Sequence, residues 1–159
     1  MIEPREFRHV MSSFATGVTV ATAALPDGTR TGITVNSFVS VSLDPPLVLF
    51  CLGRHALSYP VFSHAHGYAI NVLRAEQEEV ARAFAVPGQG HERWQHGTFT
   101  AGTSSGAPVL ENSLATIECR LEAKQEAGDH IILMGRVLAI SSREGLPLLY
   151  WHSGYRHLP

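Results

Sequence analysis

Apolar and polar positions recur along this chain with two periods, and the changes of period mark its elements. Near the start, Phe7, Val10, Met11 and Phe14 fall at i, i+3, i+4 and i+7, and Pro4 sits where a first helical turn tolerates it. A short helix ending before Gly17 is expected. Period two then takes over. Val18 to Thr22 reads as a strand and Pro26-Asp27-Gly28 as a turn. A second strand runs from about Arg30 to Leu43, where Asp44-Pro45-Pro46 stops it, because proline donates no ladder hydrogen bond. Leu47 to Leu52 is apolar on both faces and predicts a buried central strand.

Ser58 to His66 has the pattern of a short helix with Pro60 in its first turn, released by Gly67, and Tyr68 to Leu73 returns to strand. Glu76, Glu78 and Glu79 open a further helix whose inner stripe is Gln77, Val80, Ala81 and Phe84, and Pro87-Gly88-Gln89-Gly90 ends it. The stretch to about Pro108 is rich in Gly, Ser and Thr and weakly periodic; a loop that long inside one domain is expected to be functional. Leu114 to Ala123 alternates, with Ala115, Ile117, Cys119 and Leu121 on one face and Glu118, Arg120 and Glu122 on the other. Ala127-Gly128-Asp129 turns into a last long strand, His130 to Ile140, and Leu146 to Trp151 is a short closing segment. Six or so strands with two or three short helices predict a mainly β protein, a closed antiparallel barrel that removes exposed edges.

Composition narrows the function. The chain has 159 residues, enough for a single domain spanning 1–159, and its 12 Lys+Arg against 14 Asp+Glu give a net charge of −2. No basic excess exists to neutralise a run of phosphates, so nucleic acid is not expected as a partner. No apolar run approaches the roughly 20 residues of a membrane span, and Met1 to Arg5 lacks the pattern of a signal peptide, so a cytoplasmic protein is expected. Cys51 and Cys119 lie on apolar strand faces, too few for a disulfide scaffold, and read as buried, inert thiols.

Candidate chemistry concentrates in few places. From Ile33 to Leu43, one face carries Ile33, Val35, Val39, Val41 and Leu43, interrupted by Ser37; the other carries Thr34, Asn36, Phe38, Ser40 and Ser42. The second face is either a wet sheet surface or a bed of short neutral donors and acceptors beside an aromatic ring, which suits a flat heterocycle. Ser58 is either a helix cap or, with Arg54 nearby, part of an anion site. His130, after Gly128-Asp129, is either a structural hydrogen-bonding residue or a reactive one. The nine histidines show no metal-ligand spacing, so no metal is expected. A Rossmann fingerprint, a nucleophile elbow and a paired acid and base are all missing, which leaves hydride transfer on a cofactor open and makes hydrolysis a poor fit.

Several segments occur in a telling order: Phe14 to Val20, Thr34-Val35-Asn36-Ser37-Phe38, Ser40 to Val48, and Gly128-Asp129-His130. Asn71-Val72-Leu73, Phe84-Ala85, Gly106 to Leu110 and Leu148-Leu149-Tyr150 fall among them. Over nearly the whole chain this order resembles the short-chain flavin reductases of two-component monooxygenases, which have an FMN-binding, Greek-key-like split barrel. The resemblance implies an NAD(P)H:flavin oxidoreductase that takes FMN or FAD and uses NADH or NADPH as co-substrate. It also implies a homodimer that supplies reduced flavin to a separate monooxygenase. By the same resemblance Thr34, Val35, Asn36, Ser37 and Ser42, with the Cys51-Leu52 edge, hold the flavin ring and ribityl chain. Ser58 with Arg54 holds the phosphate, Phe84 belongs to a cofactor-lining loop, and His130 is the catalytic position on the nicotinamide side. Ala56 and Val86 depart from the family pattern, in which many relatives have serine at the first position and glycine is common at the second. The alternative is a non-catalytic split barrel that binds flavin or heme, since one fold hosts several functions.

Overall fold

Twelve strands and three α-helices follow one another along residues 1–88 and 90–159, which this computed structural model describes. Helix α1 spans Pro4–Met11; strands β1 (Thr16–Gly17), β2 (Thr19–Ala24), β3 (Arg30–Val35), β4 (Val39–Leu43) and β5 (Pro46–Gly53) come next. Helix α2 (Tyr59–His64) leads to β6 (Gly67–Val72), and a 3-10 turn at Ala75–Gln77 opens α3 (Glu78–Ala85). After a second 3-10 turn at Glu92–His96 come β7 (Phe99–Ala101), β8 (Pro108–Leu110) and the long hairpin β9 (Ala115–Ala127) and β10 (His130–Ser142). Strands β11 (Leu148–Trp151) and β12 (Gly154–His157) form a closing hairpin.

Seven strands form one antiparallel sheet in the order β3-β2-β6-β9-β10-β5-β4. The chain lays down the hairpin β2–β3 at one edge, crosses to the other edge for β4–β5, and returns through α2 to place β6 beside β2. Inside the curved sheet lie Phe50, Tyr68, Ile70 and Leu133, with Phe62 of α2 plugging one end. The Phe50 ring meets Phe62 and Tyr68 edge-on, at centroid distances of 5.4 and 5.0 Å. A second core forms on the outer face of β2, where Val18 and Val20 meet Val80 and Phe84 of α3, Trp94 and Leu148. Strand β2 is therefore buried on both faces: Ala21 and Ala23 point into the first core, Val18 and Val20 into the second. Strands β1, β11 and β12 make a separate small sheet against this second core.

The expected strand from Arg30 to Leu43 is in fact two strands on opposite edges of the sheet. The chain breaks at Asn36-Ser37-Phe38, where β3 leaves its partner β2 and β4 takes up β5. A bulge in the β4–β5 ladder between Ser40 and Ser42 further turns β4. The polar residues of the two halves therefore share no common face, and Phe38 packs on the first core while Val39, Val41 and Leu43 are exposed. Leu47 to Leu52 is second from the edge and alternates, with Val48, Phe50 and Leu52 buried and Leu47, Leu49 and Cys51 half-buried. Cys51 is thus less enclosed than expected; Cys119 is fully buried, and burial pushes its thiol up to about 12.

The Gly/Ser/Thr-rich stretch is ordered by a carboxylate the alternation had placed on the wet face. Glu118 is only 9% exposed, and its Oε2 accepts from the Ser104 and Ser105 amides and the Ser105 hydroxyl at 2.8–3.0 Å. Those bonds fix the turn between β7 and β8. Helix α3 ends at Ala85, and Gln89 of the expected Pro87–Gly90 terminator lies outside the described residues. No helix among the described residues is long and apolar enough to cross a membrane.

Candidate functional site

Strand β3 is paired on one side only, and three cavities follow its free edge. The first, about 150 Å³, is lined by Thr31, Gly32 and Ile33 together with Ala56, Ser58, Phe84, Val86 and Arg93. The second, about 200 Å³, lies beside Thr34, Val35 and Asn36 under Ala85, Tyr150 and Tyr155. The third, about 600 Å³, opens between Asn36-Ser37-Phe38-Val39 and the segment Met11, Phe14 to Gly17, with Thr19. Ala85 is common to the first two and Asn36 to the last two, so the edge forms one continuous groove. Among the described residues lining it, Arg93 is the only charged one. Apolar walls with a few neutral polar groups are the composition of a cofactor cleft.

Two hydroxyls along the edge are held by named neighbours. The Thr34 hydroxyl donates to the Ala81 carbonyl of α3 at 2.7 Å, and the Thr19 hydroxyl donates to the Val35 carbonyl at 2.9 Å. Phe84 closes over the first cavity because Gly32 lets it: a Cβ on Gly32 would lie 2.8 Å from the Phe84 ring. Phe84 is itself 2% exposed and meets Trp94 edge-on at 5.0 Å. Val35 packs partly on the first core, and the Leu52 side chain is buried inside the sheet, so only its backbone can face a ligand. Ser42 pairs with Leu47 far along β4 and belongs to none of the three cavities.

Ser58 is buried with its hydroxyl unpaired. It precedes α2, a helix of six residues, yet its hydroxyl makes no capping bond. The residue is 6% exposed, and its Oγ has no hydrogen-bond partner although it lines the first cavity. A buried hydroxyl left unpaired costs free energy, so such a group calls for a partner from outside the chain. The Thr16 hydroxyl is unpaired in the same way beside the third cavity.

Arg54 and His130 gather elsewhere, at the end of β5 and the start of β10. His130 stands opposite Gly53 in the ladder, and the Arg54 amide donates to the Asp129 carbonyl at 3.0 Å. The Arg54 guanidinium reaches Glu126 at 3.3 Å and the Gly128 carbonyl at 3.5 Å, so it clasps the β9–β10 turn. His130 Nδ1 lies 2.8 Å from the Asp129 carboxylate, a bond that holds Asp129 below the ordinary carboxylate range. The His130 side chain is half-exposed, and its Nε2 is left free to meet a ligand.

Sequence reading missed Arg93, Thr16, Tyr150 and Tyr155. Arg93 lies in the weakly periodic stretch, where its one signal was an arginine next to a tryptophan. Its Nη1 donates to the Gly32 carbonyl at 3.1 Å, and its guanidinium carbon sits 5.2 Å from the Phe84 ring centre. Among the described residues no group of three or more His, Cys, Asp and Glu side chains is placed to hold a metal ion.

The chain matches the flavin reductase-like domain from residue 11 to residue 159. It is 43% identical over 148 residues to the NADH-dependent FMN reductase SmoA of Agrobacterium fabrum, covering 92% of this chain and 81% of that one. It is 37% identical over 155 residues to HsaB of Rhodococcus jostii, the reductase subunit of a flavin-dependent monooxygenase, covering 97% and 77%. Its structure superimposes on the NADH:FAD oxidoreductase SgcE6 of Streptomyces globisporus with a TM-score of 0.90 at 34% identity, over 100% of this chain and 97% of that one. The same oxidoreductase has been solved with NAD and FAD fragments. On this match of sequence and structure over nearly its full length, the chain belongs to the flavin reductase-like domain family.

Proposed function

We propose that this chain is an NAD(P)H:flavin oxidoreductase that holds FMN or FAD along the free edge of β3 and supplies reduced flavin to a separate monooxygenase. The single observation that carries the placement is the Ser58 hydroxyl, buried, unpaired and lining the same cavity as Arg93, the only charged side chain among the described residues of the groove. When bound, the flavin takes a hydride from the nicotinamide and carries both electrons onward. The protein's own part is position and a dry surface. Thr34 and Ser37 have their hydroxyl hydrogens engaged within the chain, so toward a ligand they offer lone pairs, whereas Asn36 offers both a donor and an acceptor. Val35 sets the depth of the ring and Phe84 closes the groove over Gly32, whereas Ser42, Cys51 and Leu52 line none of its three cavities. His130 positions the nicotinamide, and Arg54 holds the turn that carries His130. The non-catalytic binding barrel gains no support from the relatives, which are named as reductases.

The chain acts as one domain, in the cytoplasm, and as a homodimer. Phe7, Val10, Met11 and Phe14 are 51–72% exposed, and none of α1 is buried. Val39, Val41 and Leu43 add a second apolar strip, and Met11, Phe14 and Val39 border the third cavity. A second copy would cover this exposed apolar surface and wall the groove at once. Sedimentation at micromolar concentration is expected to give a dimer, and a monomer overturns that part.

The activity is tested by mixing NADH or NADPH with FMN, FAD or riboflavin and following the loss of nicotinamide absorbance. Saturable, flavin-dependent oxidation is expected. No oxidation with any of the six pairs overturns the reading.

A further inference from the structure

We infer that Arg93, and not Arg54, is the cation that recognises the phosphate of the bound flavin, and that through it the site selects phosphorylated flavins over riboflavin. This rests on the flavin-reductase reading above and names the residue that reads one part of the ligand. The two arginines are in opposite states. Arg54 already has a carboxylate, Glu126, and a carbonyl, Gly128, as partners. Arg93 has no carboxylate within 4.0 Å among the described residues; one of its five N–H groups goes to the Gly32 carbonyl, and its Nε is buried with no partner. Burial lowers its pKa, as expected for a cation removed from water without a counter-charge.

Position adds to charge. Arg93 lines the same cavity as the unpaired Ser58 hydroxyl, and among the described residues no acidic side chain lines that cavity. Arg93 is also braced: its bond to Gly32 and its seat over the Phe84 ring fix the guanidinium before any ligand arrives. A fixed guanidinium lining the same cavity as a free hydroxyl, in a groove otherwise neutral, is complementary to a phosphate group. The phosphate belongs to the flavin because this cavity continues along β3 into the Thr34–Ser37 segment. The other source, the pyrophosphate of the nicotinamide dinucleotide, is separated by the test.

The dissociation constants of FMN and riboflavin are measured by flavin fluorescence for the wild type, Arg93→Gln, Arg93→Lys and Arg54→Gln. Arg93→Gln should weaken FMN about 10- to 100-fold while riboflavin stays within about twofold, Arg93→Lys should recover part of the loss, and Arg54→Gln should change neither by more than about twofold. Should Arg93→Gln fail to fold, inorganic pyrophosphate added to the wild type decides: it must compete with FMN and not with riboflavin. Equal loss of FMN and riboflavin in Arg93→Gln makes the residue a brace for β3 and overturns the inference. So does unchanged FMN affinity with a raised KM for NADH, which assigns the anion to the dinucleotide. A wild type that binds neither flavin overturns the functional reading itself, a separate result.

Discussion

The Ser37 hydroxyl exchanges two hydrogen bonds with the backbone of Cys51, donating to its carbonyl at 3.1 Å and accepting its N–H at 2.9 Å. Val39 pairs with Leu49 in the β4–β5 ladder, so two residues earlier Ser37 falls opposite Cys51, beyond the start of β4. A side chain there takes over both bonds that a strand backbone would have made. It fastens the crossing segment between β3 and β4 to β5, at the point where the groove passes from the second cavity into the third. Ser37→Ala removes both bonds and leaves a half-buried amide and carbonyl unpaired, so a loss of about 1–3 kcal/mol is expected. FMN affinity should fall with it, because Asn36 loses its anchor. Urea unfolding and a flavin titration check both; stability within about 0.5 kcal/mol of wild type would show that water replaces the hydroxyl.

Gly32 and Phe84 form a second coupled pair. A methyl group at 32 would press on the Phe84 ring, in a second core that already holds Trp94 and Val80. Gly32→Ala should cost about 1–3 kcal/mol through overpacking and lower FMN affinity by moving the roof of the first cavity. Adding Phe84→Leu should recover part of the stability but not the affinity. Melting curves of the single and double variants decide this. Additive losses would mean that the two sites are not in contact.

The element types were legible because hydrophobic period is a local signal: α3, the β9–β10 hairpin and the proline stop before β5 all stand out in the chain. The division of Arg30–Leu43 was not, since both halves keep period two across Asn36-Ser37-Phe38 and nothing local says that they pair on opposite edges. Glu118 was assigned to the wet face for the same reason. Its burial is decided by Ser104 and Ser105, brought over it from a loop more than ten residues upstream. As candidates, Thr34 to Ser37 and Ser58 could be found from residue type and resemblance. Arg93 could not, because what singles it out is the lack of a carboxylate in three dimensions, whereas Arg54 looked equally suitable until Glu126 was seen beside it.

The C-terminal hairpin is tied to the site through Glu78. Its carboxylate takes two bonds from Arg82 and one, at 2.8 Å, from His157 of β12, and Arg82 lies 4.9 Å over the Tyr155 ring, which lines the second cavity. Arg82 first and His157 second hold Glu78 below its ordinary 4.5. A lowered folded-state pKa means that the ionised form is favoured by folding. The contribution is complete above the unfolded value and lost as pH falls through the lowered one. Melting temperature followed downward from pH 6 should therefore decline more steeply in the wild type than in Glu78→Gln below pH 4.5. Near neutral pH the two should differ by less than about 1 kcal/mol, because the pair is solvent-screened. Parallel pH profiles would show that the clamp does not report on folding.

His130 gives the last test, and the one closest to the chemistry. Its Nδ1 is held by Asp129, and the turn beneath it is held by Arg54, so the free Nε2 is presented from a braced position at the start of β10. None of the three cavities includes it, which separates its role from flavin binding. His130→Ala should therefore raise the KM for NADH or slow reduction of bound flavin, while the flavin dissociation constant changes by less than about twofold, under about 0.5 kcal/mol. Asp129→Asn should produce a weaker effect of the same kind, because the ring stays but loses its orientation. The opposing account makes His130 only an anchor for the Gly128-Asp129 turn, and it requires a lower melting temperature with normal kinetics in the cold. Stopped-flow reduction by NADH, run beside a melting curve for each variant, separates them. A destabilised His130→Ala that is reduced at the wild-type rate across the whole NADH range would remove His130 from the reaction.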